Sequence, residues 1–453
     1  MWHEIFREES GKDDPAQRRV GSAWITEGSA MRVHINTLGC RLNQAESEQI
    51  AQQFRLAGHE LVADAAEADL LVVNSCTVTR DAGRKSRRAA RPMRGGQRVV
   101  VTGCHSEVRP QEFAAADLIV ASAEKERLAS LAAEQFGLEG SALGADFRPD
   151  ARLALYPLVL DKTRAFVKIQ DGCNLSCSFC LTTIARGAAR SQPPGEIVCE
   201  VTLLAQQGCQ EVVLTGVHAG SYGYDRGTDL GQLIERLLSE TTIPRLRLSS
   251  LEPWNFKSDW LELWQRFEGR LCRHLHMSLQ SGSDTVLRRM RRAYSSRQFA
   301  AKVAAARAAI PNLAVTTDII VGFPGETEAE HAASVAFVEV VGFAGAHIFS
   351  FSPRPGTRAA AMRDQVDGAT KRARHAEMSA VTLASAARFR ESMVGQQLPV
   401  LWEQPRPDGV ATGLTDTYLR VYAAPGTRER NTVTLAHFVS VHEDGLWAES
   451  PSG

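Results

Sequence analysis

Three cysteines, Cys173, Cys177 and Cys180, stand at a C-x3-C-x2-C spacing in the segment DGCNLSCSFC, within a chain of 453 residues that has nine cysteines in all. Thiolates this close together suit a metal centre, and their number bears on its chemistry. A structural zinc site usually closes with four protein ligands, whereas a catalytic site keeps one position open. Two centres fit the spacing. One is zinc completed by a histidine; the other is a four-iron, four-sulfur cube held by three cysteines. In the cube, one iron stays free to bind a small molecule through nitrogen and oxygen.

Three further cysteines share a pattern. The runs NTLGC, VVNSC and VVTGC each place a cysteine just past an apolar stretch, at Cys40, Cys76 and Cys104. Such runs alternate with helical patterns over residues 31–140, which indicates an α/β unit with a parallel sheet. The carboxyl ends of the strands in an open α/β sheet line one crevice, so the three thiols are expected to converge. Cys199, Cys209 and Cys272 lie in EIVCEV, QQGCQEVV and RLCRHLH without such an arrangement, and read as core residues.

A looser stretch, 141–160, is expected to link this unit to the next. Six strand-like runs follow over residues 161–390: AFVKIQ, EVVLTG, RLRLSS, HLHMSL, VTTDIIVGF and AHIFSF. With helical patterns between them they make a partial (βα)6 barrel, whose active site lies at the carboxyl ends of its strands. The motif at 173–180 follows the first strand and so falls on the reactive face. By the same logic Thr215 and Gly216 at the end of the second strand, Gln280 after the fourth and Gly322 after the fifth are expected to face a cofactor. His274 and His276 alternate along the fourth strand and read as hydrogen-bonded side chains rather than metal ligands. Residues 391–449 break into short runs, LPVLWEQ, YLRVYAA, NTVTLAHFVSV and GLWAES, expected to form a small β-barrel of a kind that binds RNA.

Composition sets limits. Hydrophobic residues make up 44% and charged residues 23%, ordinary for a soluble protein. No apolar run approaches the ~20 residues of a membrane span, so no membrane partner is expected. Residues 1–30 hold six acids and four bases without an apolar core, which excludes a secretory signal and suggests a disordered extension. An odd number of cysteines in so long a chain fits reduced thiols in a cytoplasmic protein. Net charge is zero, yet residues 80–98 carry eight bases and one acid, and residues 287–297 five arginines and no acid. Arg84, Lys85, Arg87, Arg88 and Arg91 sit on a helix-favouring stretch after Cys76, placed to meet RNA phosphates at the mouth of the crevice.

C-x3-C-x2-C after the first strand of a partial barrel, with Phe179 before the last cysteine, resembles the radical S-adenosylmethionine superfamily. The segments NTLGCRLNQAESE, NSCTVT, VTGC, DGCNLSCSFC, ARGAARS, VVLTGVHAGSYG, RLRLSSLEP, HLHMSLQSGSDTVLRRMRRAY, TDIIVGFPGET and FSFSPRPGTRAA, in order over residues 31–362, resemble the methylthiotransferase family. The terminal β-unit is similar to that family's TRAM domain. The resemblance implies two [4Fe-4S] clusters. One is held by Cys173, Cys177 and Cys180, binds S-adenosylmethionine at its open iron and generates a 5′-deoxyadenosyl radical, with Phe179 beside the cofactor. The other, auxiliary cluster is held by Cys40, Cys76 and Cys104 and carries the sulfur to be transferred. A reducing electron donor of flavodoxin or ferredoxin type and a sulfur donor are implied as well.

TLGCRLNQAESE is similar to the threonylcarbamoyladenosine-tRNA type, which implies methylthiolation at C2 of N6-threonylcarbamoyladenosine at position 37, in a tRNA anticodon stem-loop. The isopentenyladenosine type, more often YGCQMN, and the ribosomal-protein aspartate type, LGCPKN, are the alternatives within the family. From another class, a non-catalytic iron-sulfur protein that binds RNA or senses redox state is a further alternative. Thr183 and Ile184 depart from the family's Pro and aromatic before RG, and Gln192 from its RSR.

Overall fold

The run LLVVNS is buried at every position, as a strand covered on both faces must be. In the computed structural model, which describes residues 30–137 and 163–449, this run is the centre of a parallel sheet. Its strands are β1 (Arg32–Thr37), β2 (Glu60–Leu61), β3 (Leu70–Ser75), β4 (Arg98–Gly103) and β5 (Leu118–Ile119), in the order β2-β1-β3-β4-β5. Alternating side chains sort onto two faces. Leu70, Val72 and Val100 pack with Ile50, Phe54 and Leu128, while Leu71, Val73, Val99 and Val101 pack with Phe113 on the other side. The extension up to residue 29 and the 141–160 linker lie outside the described residues.

The six expected barrel strands form as β6 (Arg164–Asp171), β8 (Glu211–Gly216), β9 (Arg245–Leu248), β11 (His274–Met277), β12 (Ala314–Val321) and β13 (Gly345–Ser350). Two short strands are added. β7 (Arg190–Ser191) pairs antiparallel on the outer edge of β6, and β10 (Ser250–Leu251) joins β11. The ladder is continuous on either side of β9 and β11, where one bridge, Leu246 to Leu271, connects the two halves. A single core runs through both, from Val167 and Leu214 to Leu275, Val315 and Ile319. His274 and His276 both hydrogen-bond Thr316 Oγ1, at 2.8 and 3.0 Å, as a packed pair of histidines should.

Residues 397–449 close into a five-stranded barrel, β14 (Gln397–Trp402), β15 (Ala411–Thr415), β16 (Arg420–Ala423), β17 (Val433–His442) and β18 (Gly445–Glu449). β15, the run ATGLT, is the strand that no apolar pattern announced. Its Gly413 is a close approach: a Cβ there would lie 2.5 Å from Val400 Cγ1. The loop after β15 docks the barrel onto the amino-terminal ends of the larger barrel's strands. Arg247 Nη1 and Nη2 donate to the carbonyls of Asp416 and Thr415, Arg273 pairs with Asp416, and Tyr418 stacks on His274 at 4.6 Å between ring centroids. Arg41, one residue past Cys40, donates to Tyr418 Oη at 2.8 Å. Tyr418 adopts a φ of 66°, a left-handed conformation that costs a non-glycine residue about 1 kcal/mol or more.

The structure corrects three expectations. Cys199 is exposed on the helix Pro194–Gln206, facing away from the core that receives Cys209 and Cys272. Arg292, read with the basic stripe at 287–297, is buried, with 2% of its side chain exposed, because Glu252 offers it a half-buried partner. Arg91 lies beyond the basic helix, which ends at Ala89. Among the described residues no helix is long and apolar enough to cross a membrane.

Candidate active site

Cys40, Cys76 and Cys104 follow the carboxyl ends of β1, β3 and β4. Cys40 caps helix α1 (Arg41–Leu56), and Cys104 opens the helix Cys104–Val108. Gly39 lets the first loop close on the second: at φ 103° its Cα faces Cys76 so directly that a Cβ would lie 2.5 Å from the sulfur. Burial pushes the Cys76 thiol up to about 12, and the neighbouring charges of Cys40 and Cys104 push in the same direction. Burial likewise pushes the Cys40 thiol up, and buried thiols of this kind ionise when a cationic centre such as iron is bound to them.

Cys173, Cys177 and Cys180 occupy the loop after β6. Gly172, at φ 69°, turns the chain with its Cα against the carbonyl of Ala188, where no side chain fits. N–H groups already point at the sulfurs: Leu175 N donates to Cys173 Sγ at 3.4 Å, Thr182 N to Cys180 Sγ at 3.3 Å and Arg292 Nη1 to Cys177 Sγ at 3.4 Å. Such donors stabilise thiolates and tune a cluster's potential. Both donor sets therefore fit iron-sulfur clusters.

The two loops meet at a cavity of about 280 Å³ lined by Thr77, Val78 and Cys104 on one side and Phe179, Cys180, Gln280 and Asp318 on the other. Phe179 and Gln280, two of the residues expected to face a cofactor, line this cavity. Thr215 is buried inside β8, Gly216 rests against Gln170, and Gly322 rests against Lys371 with its N–H on Glu326; none of the three lines this cavity. Helix α2 (Arg80–Ala89) begins at the cavity's edge, capped by Thr79, and buries only Gly83 and Ser86. Arg84, Lys85, Arg87 and Arg88 are exposed along it, and Arg91 beyond it. Asp81 pairs with Arg84 and Lys85, and Glu112 holds Arg87 at 2.6 Å.

Sequence reasoning missed the residues that join the two loops. Arg186 is buried between them: Nη1 contacts Glu46 at 2.7 Å and Asp171 at 3.0 Å, Nη2 donates to Asn43 at 2.8 Å, and Nε reaches Cys104. Asn43 in turn ties the loop ends, donating to the carbonyls of Leu38 and Ser75. Lys125 holds the other side of Glu46 at 2.6 Å. Burial pushes the Glu46 carboxyl up, but Lys125 and Arg186 outweigh it and keep its pKa far below the usual range. A signal was present, since Asn43, Glu46, Asp171 and Arg186 all belong to the segments RLNQAESE, DGC and ARG.

Residues 167–338 match the Radical SAM superfamily, and residues 32–122 match the uncharacterized protein family UPF0004. Over 406 residues the chain is 36% identical to threonylcarbamoyladenosine tRNA methylthiotransferase MtaB of Bacillus subtilis, covering 86% of this chain and 89% of that protein. It is 34% identical to MtaB of Thermotoga maritima, covering 86% and 90%. To the tRNA-2-methylthio-N(6)-dimethylallyladenosine synthase of Maricaulis maris it is 31% identical, covering 88% and 92%. Among solved structures, the radical S-adenosylmethionine methyltransferase TsrM of Kitasatospora setae, with cobalamin and a [4Fe-4S] cluster bound, shares the fold at a TM-score of 0.52 and 15% identity, over 74% of this chain and 77% of that one. Likeness at this level, over most of the length of each relative, means that the chain belongs to the radical S-adenosylmethionine methylthiotransferases, threonylcarbamoyladenosine-tRNA type.

Proposed function

We propose that the chain adds a methylthio group to C2 of N6-threonylcarbamoyladenosine in tRNA, at position 37 beside the anticodon, by radical S-adenosylmethionine chemistry. One observation carries this reading. Cys104 from the first cysteine set and Cys180 from the second line the same cavity, in a chain whose relatives are named for that reaction. Cys173, Cys177 and Cys180 would hold one [4Fe-4S] cluster, and Cys40, Cys76 and Cys104 a second. With S-adenosylmethionine bound, the pair supplies a hydrogen-abstracting radical and the sulfur to be transferred.

The chain's own residues position and shield that chemistry. Phe179, Leu181, Ile320 and Phe351 give the cavity apolar walls that exclude water from a reactive species. Asp318 and Gln280 put polar groups on the barrel side. His276 holds Asp318 at 3.3 Å, and burial, which would raise that carboxyl, is outweighed so that it stays ionised. Arg186 and Arg292 give each cysteine set an N–H donor from a buried cation. Helix α2 and the terminal barrel would grip an anticodon stem-loop through its phosphates. In this reading a flavodoxin- or ferredoxin-type reductant and a sulfur donor complete the cycle in the cytoplasm.

Mass spectrometry of tRNA nucleosides from cells with and without the gene tests the substrate. Loss of the methylthio form of threonylcarbamoyladenosine is expected on deletion. Loss of the methylthio isopentenyl form instead would transfer the chain to the other tRNA substrate.

A further inference from the structure

Arg354, in the loop after β13, lines the cavity between the two cysteine sets. Its Nε and Nη2 are buried, and neither has a hydrogen-bond partner among the described residues. Other arginines of the site are committed: Arg186 to Glu46 and Asp171, Arg292 to Glu252. Burial pushes the Arg354 guanidinium below its usual pKa, and the nearby charge of Arg80 pushes the same way. Asp81, the acid next to Arg80, pairs with Arg84 and Lys85.

The identity of the orphan atoms matters. Nε and Nη2 form one edge of a guanidinium, which binds a carboxylate or phosphate side-on through two parallel bonds. The same edge grips Asp69 in Arg32, Glu211 in Arg247 and Asp416 in Arg273. In Arg354, a residue of the cavity lining, that edge carries no anion among the described residues. The rim nearby is apolar and exposed: Val78 is 66% and Ile184 55% accessible. Ile184 lies against Gly356 of the same loop. A base could rest on such a rim while its anion goes inward.

We propose that Arg354 is the receptor for an oxyanion of the RNA nucleotide that enters this cavity. The inference rests on the reading that the cavity receives a tRNA nucleotide. Two groups on that nucleotide share the chemistry, the carboxylate of the threonylcarbamoyl substituent and the backbone phosphate.

The test uses reconstituted protein and three anticodon stem-loop RNAs, carrying threonylcarbamoyladenosine, its neutral methyl ester, or dimethylallyladenosine. Arg354→Met is expected to raise KM for the first RNA at least 10-fold with iron content at the wild-type level, and Arg354→Lys to restore part of the loss. If the carboxylate is the anion, the ester costs the wild-type protein as much as Arg354→Met costs the acid, and the variant no longer separates the two. If the phosphate is the anion, Arg354→Met weakens all three RNAs alike and lowers the salt slope by about one counterion. Wild-type KM for every RNA in Arg354→Met, or loss of iron from it, overturns the proposal. Failure of the substrate reading looks different: the wild-type protein would then leave the threonylcarbamoyl RNA unmodified.

Discussion

Arg186 Nε donates to Cys104 Sγ at 3.1 Å, across 82 residues of chain, and so ties the auxiliary loop of the sheet to the barrel loop that follows the C-x3-C-x2-C motif. The same guanidinium satisfies Glu46 and Asp171. One buried cation thus contacts both loops, with Lys168 on β6 reaching the same Glu46 at 4.0 Å. Arg186→Met leaves Glu46 with Lys125 at 2.6 Å and Lys168 at 4.0 Å. Breaking a buried pair from one side costs roughly 3–5 kcal/mol, so a large fall in the denaturation midpoint is expected. Arg186→Lys keeps the charge but not the fork, and should recover only part of it while still altering the electron paramagnetic resonance signal of the auxiliary cluster.

Iron content separates the two cysteine sets. Changing Cys173, Cys177 and Cys180 together to Ala should remove about half the iron and all formation of 5′-deoxyadenosine, on the cube stoichiometry of cysteine-ligated sites. Changing Cys40, Cys76 and Cys104 should also remove about half, yet leave measurable S-adenosylmethionine cleavage. Equal loss of cleavage in both triple variants would contradict this division.

Binding of tRNA should depend on the exposed cations on and just beyond α2 that no acid among the described residues holds. Arg88→Glu with Arg91→Glu is expected to flatten the dependence of log K on log salt by about one to two units, since each lost phosphate contact removes about 0.7–0.9. Arg87→Glu should do less, because Glu112 already holds Arg87 at 2.6 Å. Filter binding between ~50 and ~200 mM salt decides it, and an unchanged slope in the double variant would make α2 a merely solvated face.

Acid should loosen the joint beneath the barrel. Burial pushes the Glu211 carboxyl up, but Arg247 and Arg245 outweigh it and hold it at about 2, below the ordinary value of 4.5. A folded pKa below the unfolded one contributes stability that is present above about pH 4.5 and lost as pH falls toward 2. Urea midpoints measured from pH 6 down to 3 should fall in the wild-type protein. Glu211→Gln starts less stable and should show a shallower acid limb; limbs of equal slope would assign the loss to other carboxylates.

The cysteines were legible because strands buried on both faces read as continuous apolar runs, and a cysteine just past such a run needs no tertiary knowledge to be placed. Arg186, Arg292 and Arg354 were not. A sequence records charge but not enclosure, so Arg292 looked like its neighbours in LRRMRRAY although Glu252 draws it inside. Cys199 failed in the opposite sense, since EIVCEV has apolar residues on both sides of a helix position that faces solvent. β15 was hidden by Gly413, whose missing side chain weakens the strand pattern while permitting the approach of Val400.

Tyr418, held left-handed against His274 and bonded by Arg41, gives the terminal barrel a fixed seat rather than a tether. A tethered RNA-binding module raises local concentration and lets its partner search. A seated one sets a span. An RNA stem gripped by this barrel would present to the cavity whichever nucleotide lies at that span, and an enzyme built so would work as a calliper, choosing its adenosine by distance before any atom of the base is read.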